Sequence, residues 1–78
     1  MPPMNYDHDL DARGLLCPLP VLKIRKRMQS LPAQSVLRVE ADDPAAIIDI
    51  PHYCSESGHI LVAYEDSDMG QVYFLRKG

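Results

Sequence analysis

Cysteines and long apolar runs are scarce in this 78-residue chain, and each scarcity excludes something. Two cysteines are too few for a disulfide framework and better suit a reducing compartment. No apolar run approaches the length of a membrane span. The opening Met1-Pro2-Pro3-Met4-Asn5 has neither a charged n-region nor an apolar h-region, so no signal peptide is expected and the cytoplasm is the default location. Repeats, low-complexity tracts, paired carboxylates, a Ser-His-Asp set and a phosphate loop are also missing. So short a chain allows one domain with a modest core, near the lower limit for folding alone. It leaves little room for a deep cavity, which disfavours large cofactors and favours surface chemistry.

What is present is ordinary for a globular domain, with 24% charged and 46% hydrophobic residues. Eight basic against eleven acidic residues give a net charge of −3, which argues against a polyanion binder. The distribution says more than the sum. Lys23, Arg25, Lys26 and Arg27 are half of the basic residues, while Asp7, Asp9 and Asp11 crowd the front. One side of the molecule therefore suits an acidic partner.

Residues 1–5 read as a loose lead-in to a single domain over 6–78. From Tyr6 to Ala12 the pattern alternates, with Tyr6, His8, Leu10 and Ala12 on one face, as in a strand with one solvated side. Arg13-Gly14 marks a turn. Val21, Ile24, Met28 and Leu31 then form one apolar stripe of a helix that Cys17-Pro18-Leu19-Pro20 opens and Pro32 closes. Ser35 to Ala41 alternates again, with Leu37, Val39 and Ala41 inward. Asp42-Asp43-Pro44 starts a second helix. Its stripe is Ile47, Ile50, Pro51 and Cys54, Pro51 should kink or split it, and Gly58 ends it. Ile60–Glu65 and Gln71–Lys77 read as a hairpin around Asp66–Gly70. The order β-α-β-α-β-β predicts an α+β two-layer sandwich, a mixed four-stranded sheet with two helices on one face. The final strand could pair across an edge with a second copy.

Cys17 carries the chemistry. At a helix start, unpaired amides and the dipole favour an anion, and a thiol there can fall from about 8.5 towards about 7 or less. If Cys17 is the cap, Pro18 and Pro20 lack amide hydrogens, and Leu19 N–H is the main donor left for the sulfur. Pro18, Leu19 and Pro20 would then support a moderately activated thiolate, since excessive lowering weakens the nucleophile. The competing reading is a half-buried capping cysteine whose prolines merely begin a helix.

The run Leu10-Asp11-Ala12-Arg13-Gly14-Leu15-Leu16-Cys17-Pro18-Leu19-Pro20 resembles the signature of TusA/SirA-like proteins, whose hallmark is Cys-Pro-x-Pro. The resemblance continues through Ala41-Asp42-Asp43-Pro44, Asp49-Ile50-Pro51, Cys54, Gly58-His59 and the closing Phe74-Leu75-Arg76-Lys77-Gly78. It covers about Asp9 to the end of the chain, in the same order. It implies the same sandwich and a sulfur carrier whose Cys17 takes persulfide sulfur from a cysteine desulfurase or rhodanese-like donor. The sulfur would pass to an acceptor protein, as in tRNA 2-thiouridine formation. One departure is Pro32-Ala33-Gln34, where relatives commonly carry glycine third.

Cys54, on an apolar stripe, reads as core, and a Cys17–Cys54 disulfide stays open until their separation is known. No cysteine follows Cys17 by two positions, so a thioredoxin-like pair is unsupported. His52 and His59 read as a helix-face residue and a strand-entry residue, and no metal is expected around Cys54. Asp42, Asp43 and Asp49 read as caps or solvated charges. Lys23, Lys26 and Arg27 suit partner docking or a solvated face, and direct nucleic-acid binding is not expected because no aromatics interleave the cluster. No metal, nucleotide or organic cofactor is implied. The rival class is a regulatory or interaction module that binds through the basic first helix.

Overall fold

Three strands with inward-facing apolar residues and two amphipathic helices bury one another. In the computed structural model, which describes residues 5–78, β1 (His8–Asp11), α1 (Leu19–Met28), β2 (Val36–Ala41), α2 (Ala46–Ser57), β3 (Ile60–Ser67) and β4 (Gly70–Arg76) follow in that order. The lead-in expected over 1–5 lies outside the described residues apart from Asn5. The sheet runs β1-β2-β4-β3, with β1 parallel to β2 and β4 antiparallel to both its neighbours. Parallel β1 and β2 require a crossover, which α1 supplies.

This is the predicted mixed sheet of an α+β sandwich. Leu10, Leu37, Val39, Tyr73 and Leu75 from the strands meet Ile24 and Met28 of α1 and Ile50, Tyr53 and Cys54 of α2 in one core. The first helix keeps its Ile24/Met28 stripe but ends at Met28, and Leu31 is buried in the turn that follows.

Several expectations need correction. The buried stripe of α2 is Ala46, Ile50, Tyr53 and Cys54, while Ile47 is 43% exposed. Ile47 sits at the rim of that side, beside Cys54, and the pose of α2 on the sheet turns Ala46 and Tyr53 inward in its place. Pro51 lies inside α2 without splitting it. The hydrogen bond it forgoes is the one to the carbonyl of exposed Ile47, which can turn to water. The last strand is central, because β4 returns between β2 and β3, so β1 and β3 are the edges. Tyr6 leaves the β1 alternation and covers the opposite sheet face, with its ring 6.2 Å from that of Phe74 and under the Arg38 guanidinium.

That outer face is charged. Arg38 pairs with Asp9 at 3.1 Å and Glu40 at 2.9 Å, and Arg13 pairs with Asp11 at 2.9 Å. The hydrogen bond from Arg13 holds the Asp11 carboxyl down at about 2. At the hairpin tip, a side chain on Gly70 (φ +126) would put its Cβ 2.6 Å from the Ala41 carbonyl oxygen, so only glycine lets β4 begin against the end of β2.

The turn before β2 explains the departure at its third residue. Gln34 has φ 72, in the left-handed region, and its N–H donates to the Lys77 carbonyl at 2.9 Å. Gln34→Gly should therefore raise stability in urea unfolding by about 0.5–1 kcal/mol. That is a left-handed cost of roughly 1–2 kcal/mol less the extra chain entropy of glycine, roughly 0.5–1. A loss of stability would contradict this reading of the turn.

Candidate active site

Two loops meet at the carboxyl ends of β1 and β2, the edge of an α/β sheet where ligands usually bind. Each is held by an aspartate from the other. Asp42 Oδ1 accepts the Gly14 N–H at 2.9 Å, and Asp43 Oδ2 accepts the Cys17 N–H at 2.7 Å. The second oxygen of Asp43 accepts the Ala45 N–H at 3.2 Å, while its carbonyl accepts the Ala46 N–H at 3.0 Å. Asp43 thus holds the turn that leads into α2, whose N-cap is Ala45, and clamps the cysteine loop, buried to 7% exposure. Asp42 and Asp43 had been expected only as caps or solvated charges. Their contacts across the two loops are tertiary, and nothing in the local sequence signals them.

Cys17 is exposed and Cys54 buried, both as free thiols. Cys17 opens onto a cleft of about 210 Å³ between α1 and α2, where Pro18, Val21 and Arg25 face Asp49, Tyr53 and Glu56. Pro18 is the cap of α1, so Cys17 stands one residue before it, and Pro20 is in the first turn. The Leu19 N–H, expected to serve the sulfur, donates to the Leu16 carbonyl at 2.8 Å.

The environment of the thiol is acidic. Asp49 lines the same cleft, and the interaction of its carboxylate with the thiol, then partial desolvation and the charges of Asp49 and Asp43, push the Cys17 thiol above the ordinary cysteine range. The expected lowering is therefore reversed in the free protein. A helix dipole acts within its first turn, whereas here the second helix brings the Asp49 carboxylate into the same cleft as the sulfur. Asp49, read from the sequence as a cap or solvated charge, is the residue that reasoning missed. The sequence starts α2 at Asp42-Asp43-Pro44, whereas the helix begins at Ala46 and so carries Asp49 in its first turn, on the wall of the Cys17 cleft.

The other candidates fall elsewhere. Lys23, Lys26 and Arg27 line a groove of about 370 Å³ with Leu10 and Ser30, and Lys23 Nζ donates to the Asp11 carbonyl at 2.6 Å. The basic residue that reaches the Cys17 cleft is Arg25, whose guanidinium lies 5.4 Å from the centre of the Tyr53 ring. His52 pairs with Glu56 at 2.7 Å across one helical turn. His59 Nδ1 accepts the Gly78 N–H at 3.1 Å. No group of three or more potential metal ligands occurs among the described residues.

The profile of the family described as Sulfurtransferase TusA matches residues 8–77. The chain belongs to that family. It is a sulfurtransferase-type sulfur carrier, and proteins of the TusA family relay sulfur between partner proteins. A crystal structure of a SirA-like protein from Desulfitobacterium hafniense superposes with a TM-score of 0.75 at 24% identity, covering 90% of this chain and 95% of that one. At that identity the superposition speaks for the fold. No helix of the described residues is long and apolar enough to cross a membrane.

Two outcomes test the site. Asp43→Ala should speed amide hydrogen exchange at Cys17 and Ala45 and cost about 1–3 kcal/mol in urea unfolding, because it removes a buried acceptor of those two backbone amides. Unchanged exchange at Cys17 would show that the clamp does not hold the loop. Burial pushes the Cys54 thiol up to about 11. Since the unfolded chain deprotonates first, stability should fall as pH rises from about 9 towards about 11. Iodoacetamide at pH 8 should label Cys17 alone in the native protein and both thiols after unfolding. Native labelling of Cys54 would contradict its burial.

Proposed function

We propose that Cys17 is the sulfur-bearing residue of this TusA-family carrier, taking a persulfide from a cysteine desulfurase or rhodanese-like donor and handing it to an acceptor protein. The carrying observation is the pairing of one exposed thiol, in the Cys-Pro-Leu-Pro motif and beside a cleft, with one buried thiol. The step is a thiol exchange. Cys17 sulfur attacks the terminal sulfur of the donor persulfide, the new S–S bond forms as the donor's breaks, and the donor leaves as a thiolate that takes up the proton lost by Cys17. No net oxidation occurs, so the reaction needs access and positioning more than a deep pocket.

Residues 6–78 act as the one carrier domain, in the cytoplasm, and the end use is 2-thiouridine formation in tRNA. Pro18 and Pro20 support the reading by fixing the chain on either side of Leu19, so that the cysteine projects ahead of the helix. Lys23, Lys26 and Arg27 provide docking charge for an acidic partner face. Their groove is distinct from the Cys17 cleft, and this separation favours a second reading, a regulatory or interaction module binding through the basic helix without sulfur chemistry.

Intact-protein mass spectrometry after incubation with a cysteine desulfurase and L-cysteine separates the two. The carrier gains about one sulfur mass by persulfide exchange at its exposed thiol, and Cys17→Ser abolishes the gain while Cys54→Ser preserves it. Full biological function in Cys17→Ser, with loss on neutralising Lys23, Lys26 and Arg27 together, would establish the module instead.

A further inference from the structure

The fold gathers basic side chains from separate elements around one cavity and gives them no counter-charge. The cavity, of about 300 Å³, is lined by Arg25 and Met28 of α1, Tyr53 and Ser57 of α2, His59 at the entry to β3 and Lys77 after β4. No Asp or Glu lines it. Elsewhere arginines meet carboxylates, as Arg13 and Arg38 do, but Arg25 and Lys77 have no ion-pair partner among the described residues. In a chain of net charge −3 this is a local excess of positive charge that composition does not require.

Each basic group is already held by a contact that leaves donors unused. Lys77 is half-buried, and its Nζ donates to the Leu31 carbonyl at 2.7 Å, which takes only one of the ammonium hydrogens. The Arg25 guanidinium lies 5.4 Å from the centre of the Tyr53 ring, a contact that occupies none of its N–H donors. His59 Nδ1 accepts the Gly78 N–H at 3.1 Å, so the neutral ring carries its hydrogen on Nε2. Burial, then the nearby Lys77 charge, hold the His59 pKa below the usual histidine range. Fixed cations without counterions repel one another, and an anion placed among them turns that repulsion into charge-assisted hydrogen bonds.

We propose that this cavity is an oxyanion site that takes a phosphate group, free or on a small organic ester, between Arg25, His59 and Lys77. Two permanent cations match a dianion. Donors converging from three elements suit a tetrahedral group with several oxygens better than a planar carboxylate. The volume lies at the lower end for small-molecule sites, and buried Met28 and Tyr53 offer apolar surface to an organic part. Arg25 and Tyr53 also line the Cys17 cleft, so the site adjoins the sulfur chemistry. It uses neither cysteine and is independent of the carrier reading.

The test is NMR titration of the whole protein with inorganic phosphate and with phenyl phosphate at constant ionic strength, near pH 7, where a phosphate ester carries about −1.5 to −2. Saturable shifts centred on Arg25, His59 and Lys77 are expected. Arg25→Gln and Lys77→Gln should each weaken binding about tenfold, the loss of one charge-assisted hydrogen bond. Lys26→Gln, in the separate basic groove, should leave the affinity unchanged. Tighter binding of phenyl phosphate assigns the site to organic esters, and equal or tighter binding of inorganic phosphate assigns it to the free ion. Failure of both probes to saturate, or equal weakening by Lys26→Gln, overturns the site. If Lys77→Gln unfolds the protein through its Leu31 contact, Arg25→Gln decides, and unchanged affinity in that variant overturns the site.

Discussion

The contact between the Asp43 carboxylate and the Cys17 amide joins the two halves of this small molecule. It ties the loop after β1 to the loop after β2, and one residue thereby shapes both the cysteine turn and the first turn of α2. The neighbouring Asp42 repeats the device on Gly14. Because β1 and β2 are parallel neighbours, their carboxyl ends lie side by side and both loops open the same way. Everything chemical about the protein follows from that juxtaposition. The cysteine is held out at the sheet's end, α1 leads away from it, and α2 supplies the opposite wall of the cleft.

The electrostatics of the site run against the simplest idea of an activated thiol. A helix start offers partial positive charge, yet the cysteine stands before the cap and the nearest amide is already engaged. Two aspartates then bring negative charge close to the sulfur. For an enzyme with its own substrate pocket this would be a handicap. For a TusA-family carrier, whose sulfur exchange needs access and positioning more than a deep pocket, it leaves the exposed thiol free to react.

Much of the fold could be read in the chain. Alternation at Leu37, Val39 and Ala41 and the Ile24/Met28 stripe became the core, and Gly58 ends α2 with φ 77, as a left-handed cap should. What failed was tertiary. Ile47 fits an apolar pattern as well as Ala46 does, and only the pose of α2 on the sheet decides which is buried. The central place of β4 is set by strand order, which a hairpin signal does not contain. Tyr6 continues an alternating run on paper but crosses to Phe74 because an exposed aromatic gains more from covering it. At the site, the cysteine and its prolines were evident, while Asp43 and Asp49 looked like helix-start charges. Their partners lie on another loop, beyond the reach of any local pattern.

Release of sulfur tests the carrier claim most directly, since a thiol that only accepts sulfur is merely a modified residue. The protein would be loaded with radiolabelled sulfur from a cysteine desulfurase, separated from it, and mixed with an excess of a thiol-bearing acceptor. The account predicts that the label leaves Cys17 for the acceptor and that the carrier returns to its free thiol, ready for a second loading. Label that stays on Cys17, or that sits on Cys54 instead, would contradict it.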